Sequence, residues 1–96
     1  MTLTWNSDAR DAFEEAIAYL QERSPQAAAK FAVEINTATL RLLTYPLMHR
    51  ADPDRLANDG SFRRFYVQHY AISYAVSDDE IIIVRFRHSK RAPQFY

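Results

Sequence analysis

Two stretches of the chain concentrate its cations. FRRFYV carries Arg63 and Arg64, and IIIVRFRHSKRAPQFY carries Arg85, Arg87, Lys90 and Arg91 with no acid among them. Clustered guanidiniums suit phosphate or carboxylate, because the planar fork donates paired hydrogen bonds. If the two stretches are paired strands, these side chains converge on one concave surface. Tyr66, Tyr70, Phe95 and Tyr96 would add stacking surfaces, and the Tyr96 hydroxyl could transfer a proton. A plainer reading fits the same residues: arginines at strand ends protect sheet edges and keep the surface soluble. The residues alone leave both readings open.

Other chemistry is poorly represented. There is no Gly-rich phosphate loop; Gly60 is the single glycine. His49, His69 and His88 are far apart and lack the spacing of a zinc-binding helix, so neither a metal nor a cofactor is expected. His88 falls on the core-facing parity of its strand and reads first as a half-buried structural residue. The carboxylate pairs Glu14-Glu15 and Asp78-Asp79-Glu80 fit a solvated helix face and a hairpin turn. With no cysteine, disulfides and thiolate sites are excluded.

Charge is balanced, with 12 bases and 12 acids, but unevenly placed. The first half has an excess of acids, and the last 16 residues have four bases alone. That argues against a binder that coats its whole surface with nucleic acid and leaves room for a local anion site. No apolar signal core opens the sequence and no segment is long enough to span a bilayer, so a cytoplasmic protein without membrane partners is expected.

The elements that must position these groups can be read from periodicity. Thr2-Leu3-Thr4-Trp5 alternates as a short strand. Ser7 is the expected N-cap of a first helix, in which Ala9, Phe13, Ile17 and Leu20 share a face. Ser24-Pro25 ends that helix and starts a second, running to about Thr44. Its stripe is Ala28, Phe31, Ile35, Ala38, Leu42 and Tyr45. Pro46 to Ser61 is rich in turn formers and reads as a long loop.

Three strands follow. Phe62 to Gln68 leads to YAISYAV, where Tyr70, Ile72, Tyr74 and Val76 share a face. After the turn at Ser77-Asp78-Asp79, strict alternation in Glu80 to Arg87 puts Ile82, Val84, Phe86 and His88 on one side. Ile81, Ile83, Arg85 and Arg87 then fall on the other. The result is an α+β domain over residues 1–96: an N-terminal strand, an antiparallel helical hairpin, and a three-strand antiparallel meander forming one sheet with the helices on one face. The opposite face, with Ile81 and Ile83 bare, should then receive a partner.

The ordered set of Trp5, SPQAAAKF, LLTYP, FRRFYV, YAISYAV, IIIVRFRH and the nearby Arg91 resembles the RelE/ParE superfamily of toxins from bacterial type II toxin–antitoxin systems, nearer the ParE side. The likeness covers nearly the whole chain. It implies a toxin that inhibits DNA gyrase without making or breaking a bond. A small, acidic, partly disordered antitoxin with a DNA-binding N-terminus would neutralise it within a toxin–antitoxin hetero-oligomer. Arg63 matches the family's strand arginine, and Lys90 and Arg91 fall in its C-terminal basic segment. Arg63, Arg64, Arg85, Arg87, Lys90, Arg91, Ile81 and Ile83 are then the expected target- or antitoxin-binding residues. The RelE alternative is a metal-independent nuclease cutting messenger RNA on the ribosome, with Arg63, Arg91, His88 and Tyr96 catalytic. A decayed toxin that only binds is the remaining alternative.

Overall fold

The computed structural model describes residues 1–96. In chain order the elements are β1 (Thr2–Trp5), α1 (Ser7–Arg23), α2 (Pro25–Leu40), a 3₁₀ turn (Arg41–Leu43), β2 (Arg50–Ala51), β3 (Phe62–Val67), β4 (Tyr70–Val76) and β5 (Glu80–His88). They form one five-stranded sheet in the order β1-β5-β4-β3-β2. β1 runs parallel to β5, and the remaining pairs are antiparallel. The α+β architecture expected from the sequence is present, with α1 and α2 packed together against one side of the sheet.

Local signals explain most boundaries. Ser24 accepts a bond from the Ala27 amide at 3.2 Å, and Pro25 opens α2 where its missing N–H costs nothing. The cap of α1 is Asn6, one residue before the expected Ser7; its Oδ1 accepts from the Ala9 amide at 2.8 Å. Asn6 wins because its side-chain amide also donates to the Val84 carbonyl at 3.0 Å, tying the start of α1 to β5. The stripe on α2 is buried through Leu42 but fails at Tyr45, which is 59% exposed. The chain tightens into the 3₁₀ turn after Leu40, and three residues per turn carry Tyr45 out of phase.

Phe31, Ile35, Leu42, Ile72, Tyr74, Ile81 and Ile83 are fully buried between helices and sheet. Burying one such side chain stabilises by about 1.5–3 kcal/mol. Trp5, Phe13, Phe31, Tyr70 and Phe86 form a linked aromatic group, with ring centroids 5.0–6.4 Å apart in the contacting pairs.

This core overturns the expectation of a bare apolar patch at Ile81 and Ile83. Along β4 and β5, Ser73 pairs with Arg85, whereas the next residue, Tyr74, pairs with Ile83. Val84 is therefore an extra residue, a β-bulge, and it resets the alternation. Ile81 and Ile83 face the helices before the bulge; Phe86 and His88 face them after it. Ile82 and Arg85 take the other side. Two of the expected partner-binding residues are thus core residues.

The long loop is more ordered than its composition suggests. It contains β2, and the Asn58 side chain bonds Phe62 on both sides, donating to its carbonyl at 2.7 Å and accepting from its amide at 3.2 Å. Gly60 adopts a φ of +98°, a conformation open to glycine at little cost. Tyr74 donates its hydroxyl to the Pro46 carbonyl at 2.8 Å, fixing the loop's entry.

Candidate functional site

The sheet side away from the helices carries the cations. Cross-strand register sets two rows on β3, β4 and β5: Arg64, Ser73 and Arg85, then Tyr66, Ala71 and Arg87. Small residues in the middle strand leave space between the long outer side chains. Ser73 and Ala71 are nevertheless 3% exposed, because residues 91–96 and the Asp52–Leu56 turn lie over them.

That covering is built from specific bonds. The Tyr96 amide donates to the Asp54 carbonyl at 2.9 Å, and the Leu56 amide donates to the Tyr96 carbonyl at 2.6 Å. Arg85 donates to the Gln94 carbonyl at 2.6 Å and stacks over the Tyr96 ring at 4.5 Å. Arg87 donates to the carbonyls of Arg91 and Ala92. The Tyr96 hydroxyl donates to Asp52 Oδ2 at 2.6 Å. The open face, expected to await a partner, is partly sealed by the chain's own final residues.

Two acids anchor the network. Asp54 accepts from Arg64 at 3.2 Å and from Arg87 at 3.4 Å. The Asp52 side chain is fully buried and lies 3.6 Å from Arg64. Burial alone would raise its carboxyl. The bonds from Tyr96, Ser73 and the Asp54 amide, with the charge of Arg64, outweigh burial and hold it below the usual carboxylate range. Tyr96 is pushed up to about 12, first by burial and then by its bond to Asp52. Such a phenol stays protonated at neutral pH and its proton is already donated. Both carboxylates are committed to arginines and hydroxyls, so they form no ready cation site.

The expected site residues divide accordingly. Arg64, Arg85 and Arg87 gather on the open face with exposed Arg91 beside them. Arg63 does not join them. It sits on the helix-facing parity opposite Tyr74 and donates to the Gly60 carbonyl at 3.0 Å and the His49 carbonyl at 2.7 Å. It holds the loop, because adjacent residues in a strand point to opposite faces. His88 also faces the helix side, stacked near His69 at 6.1 Å and edge-on to Tyr70 at 5.3 Å. Lys90 is exposed beyond it, and its amide donates to His88 Nδ1 at 3.2 Å. Arg63, His88, Arg91 and Tyr96 therefore do not converge on one reacting centre.

Sequence reasoning missed Asp52 and Asp54. They lie in ADPD, which reads as turn chemistry, and no local pattern links them to arginines ten or more residues away. A charged pair flanking a proline, ahead of two adjacent arginines on a strand, is the faint signal that was present.

No helix is long and apolar enough to cross a membrane. The search of curated proteins yields no match. The fold is similar to a solved structure described as the chromosomal ParDE TA system from P. aeruginosa: the TM-score is 0.73 at 17% identity, over 94% of this chain and 97% of that one. At that identity the likeness concerns the fold. The sequence itself matches the family described as ParE toxin of type II toxin-antitoxin system, parDE, over residues 3–93. That match spans nearly every element described above, and the chain therefore belongs to the ParE toxin family of type II toxin–antitoxin systems.

Proposed function

We propose that this toxin acts by inhibiting DNA gyrase and that a cognate antitoxin neutralises it by direct binding. Membership of the ParE family supports the toxin role. The observation that carries the choice of target is the bond from Tyr96 to Asp52. A nuclease of this fold would need a hydroxyl or imidazole free to move a proton beside free guanidiniums. Here the hydroxyl is part-buried and already donated to Asp52, Arg63 is turned into the loop, and His88 lies on the other side of the sheet from Arg64 and Arg85. Inhibition by binding needs none of these groups.

The antitoxin reading rests on the similar ParDE assembly and on surface chemistry. Val33 and Leu40 on α2 are 64% and 48% exposed, and the cations Lys90 and Arg91 are exposed at the far end of β5. An acidic segment that orders on binding would cover apolar surface and meet those charges.

The test is a supercoiling assay with purified gyrase, run beside a translation extract charged with messenger. The expected result is lost supercoiling with trapped gyrase–DNA complexes and intact messenger, reversed by the antitoxin. Cleaved messenger, with cleavage lost in Arg91→Ala or Tyr96→Phe, would overturn the reading in favour of the nuclease. Normal growth on expression without antitoxin would reduce the chain to a binding module.

A further inference from the structure

The open face holds a small pit that the toxin reading leaves unused. It has a volume of about 100 Å³, and Arg64, Arg87 and Arg91 line it against one acid, Asp54. Its floor is Ala71, whose lack of bulk between Tyr66 and Arg87 creates the space. Ser89 adds a hydroxyl at the wall. Asp54 fixes Arg64 and Arg87 through Nη1 of each, at 3.2 and 3.4 Å; Arg87 Nη2 already donates to the Arg91 and Ala92 carbonyls, so the oriented, unused donors are those of Arg64. The Arg91 side chain has no ion pair; the chain's three are made by Arg64 and Arg87. Three guanidiniums against two carboxylates, Asp54 at the pit and Asp52 3.6 Å from Arg64, leave one positive charge in excess, at Arg91, in a space sized for one tetrahedral oxyanion.

A second cavity of about 820 Å³ adjoins it, sharing Arg64 and Tyr66 and adding Arg50. Arg50 lies directly across from Arg64 in the β2–β3 register, an opposition of like charges that disfavours the pair unless an anion sits between them. Arg50 has no acid partner of its own. The Tyr66 ring stands between the two cavities, 58% exposed, with the Arg64 guanidinium 5.4 Å from its centre.

We propose that this edge of the open face binds a single nucleic-acid strand: one phosphate in the Arg64–Arg87–Arg91 pit, one base stacked on Tyr66, and the next phosphate at Arg50. The alternation of cation, exposed ring and cation is what a phosphodiester strand requires. An acidic peptide would use the cations and leave the ring unexplained. The inference deepens the gyrase reading, whose target works on DNA, and assigns no cleavage chemistry.

The probe is a short fluorescein-labelled oligothymidylate, with an oligouridylate as the ribose counterpart, titrated with the full chain and followed by anisotropy. Saturable binding that weakens with salt is expected. Arg91→Ala should weaken it about tenfold and lower the log–log salt slope by about one. Tyr66→Ala should weaken it about tenfold at unchanged slope. Lys30→Ala, on exposed α2, should leave it unchanged. Both altered side chains are exposed, and thermal melts of each variant verify folding.

Several results would overturn the proposal. They are absent binding, equal loss in Lys30→Ala, no effect of Tyr66→Ala, displacement by polyglutamate at equal charge, or displacement by inorganic phosphate at equal phosphate. The last leaves an adventitious ion only. Preference between the two oligonucleotides separates DNA from RNA as the source of the strand. Supercoiling is measured on the same preparations, so loss of oligonucleotide binding with inhibition retained sinks this inference alone. Binding without inhibition sinks the gyrase reading alone.

Discussion

The two sides of the sheet are held by different forces. The helix-facing side is an apolar contact in which Phe31, Ile72, Tyr74, Ile81 and Ile83 lose essentially all exposure. The open side is covered by a short segment that contributes few apolar contacts and many directed ones, to Asp52, Asp54, Arg85 and Arg87. Burial on the first side is non-directional and scales with area. Hydrogen bonds on the second are each worth little net, yet leaving a buried partner unmatched costs more. One side should therefore set global stability, while the other should open locally at lower free energy and respond to pH.

The largest test of that contrast is Phe31→Ala. Phe31 is fully buried and packs its ring against Phe13, Tyr70 and Phe86. A loss of about 3–5 kcal/mol is expected, read as a lowered denaturant midpoint for the whole domain. Asp52→Ala comes next, at about 3 kcal/mol, because it leaves the Tyr96 hydroxyl and the Asp54 amide without their acceptor and Arg64 with Asp54 alone. Its signature differs: amide exchange should rise at Leu56 and Tyr96 before it rises in β4. Uniform acceleration across both sides would mean that the two are one cooperative unit.

Tyr96→Phe should have the smallest effect, about 1.5 kcal/mol, from one hydrogen bond to a charged acceptor. It also sharpens the pH argument. The Asp52 value is depressed in the fold, so its contribution is present above the unfolded carboxylate pKa of about 4 and is lost as pH falls through the folded value. The Tyr96 value is raised, so its contribution is present below about 10 and lost as pH rises toward about 12. Stability measured between pH 10 and 12 should fall more steeply in the wild type than in Tyr96→Phe. Identical slopes would show that the phenol's environment does not favour its proton.

Much of the helix-facing side could be read from the sequence. The period-four spacing of Ala9, Phe13, Ile17 and Leu20, the Ser24-Pro25 boundary and the alternation in YAISYAV each follow from local rules. The open side could be read only in part. Arg64, Arg85 and Arg87 were placed together because strand pairing demanded it. Arg63 was misassigned by its neighbour's company, and Ile81 and Ile83 by a bulge that no residue at Val84 announces. Asp52, Asp54 and Tyr96 meet through register and chain return, which depend on contacts between distant segments and leave no local trace.

The extra residue at Val84 has a genetic consequence. A strand with perfect alternation tolerates replacement at most outward positions, and its phase is fixed by its ends. In β5 the phase changes midway only because Val84 is extra: without it, Ile83 and Arg85 would be neighbours, as Tyr74 and Ser73 are opposite them. Loss of that one codon would leave Ile81 and Ile83 inward and Arg85 and Arg87 outward, whereas a codon added elsewhere in the strand would thrust isoleucines into water or drive arginines among aromatic rings. An in-frame loss of the Val84 triplet should therefore be better tolerated than a one-codon insertion elsewhere in β5.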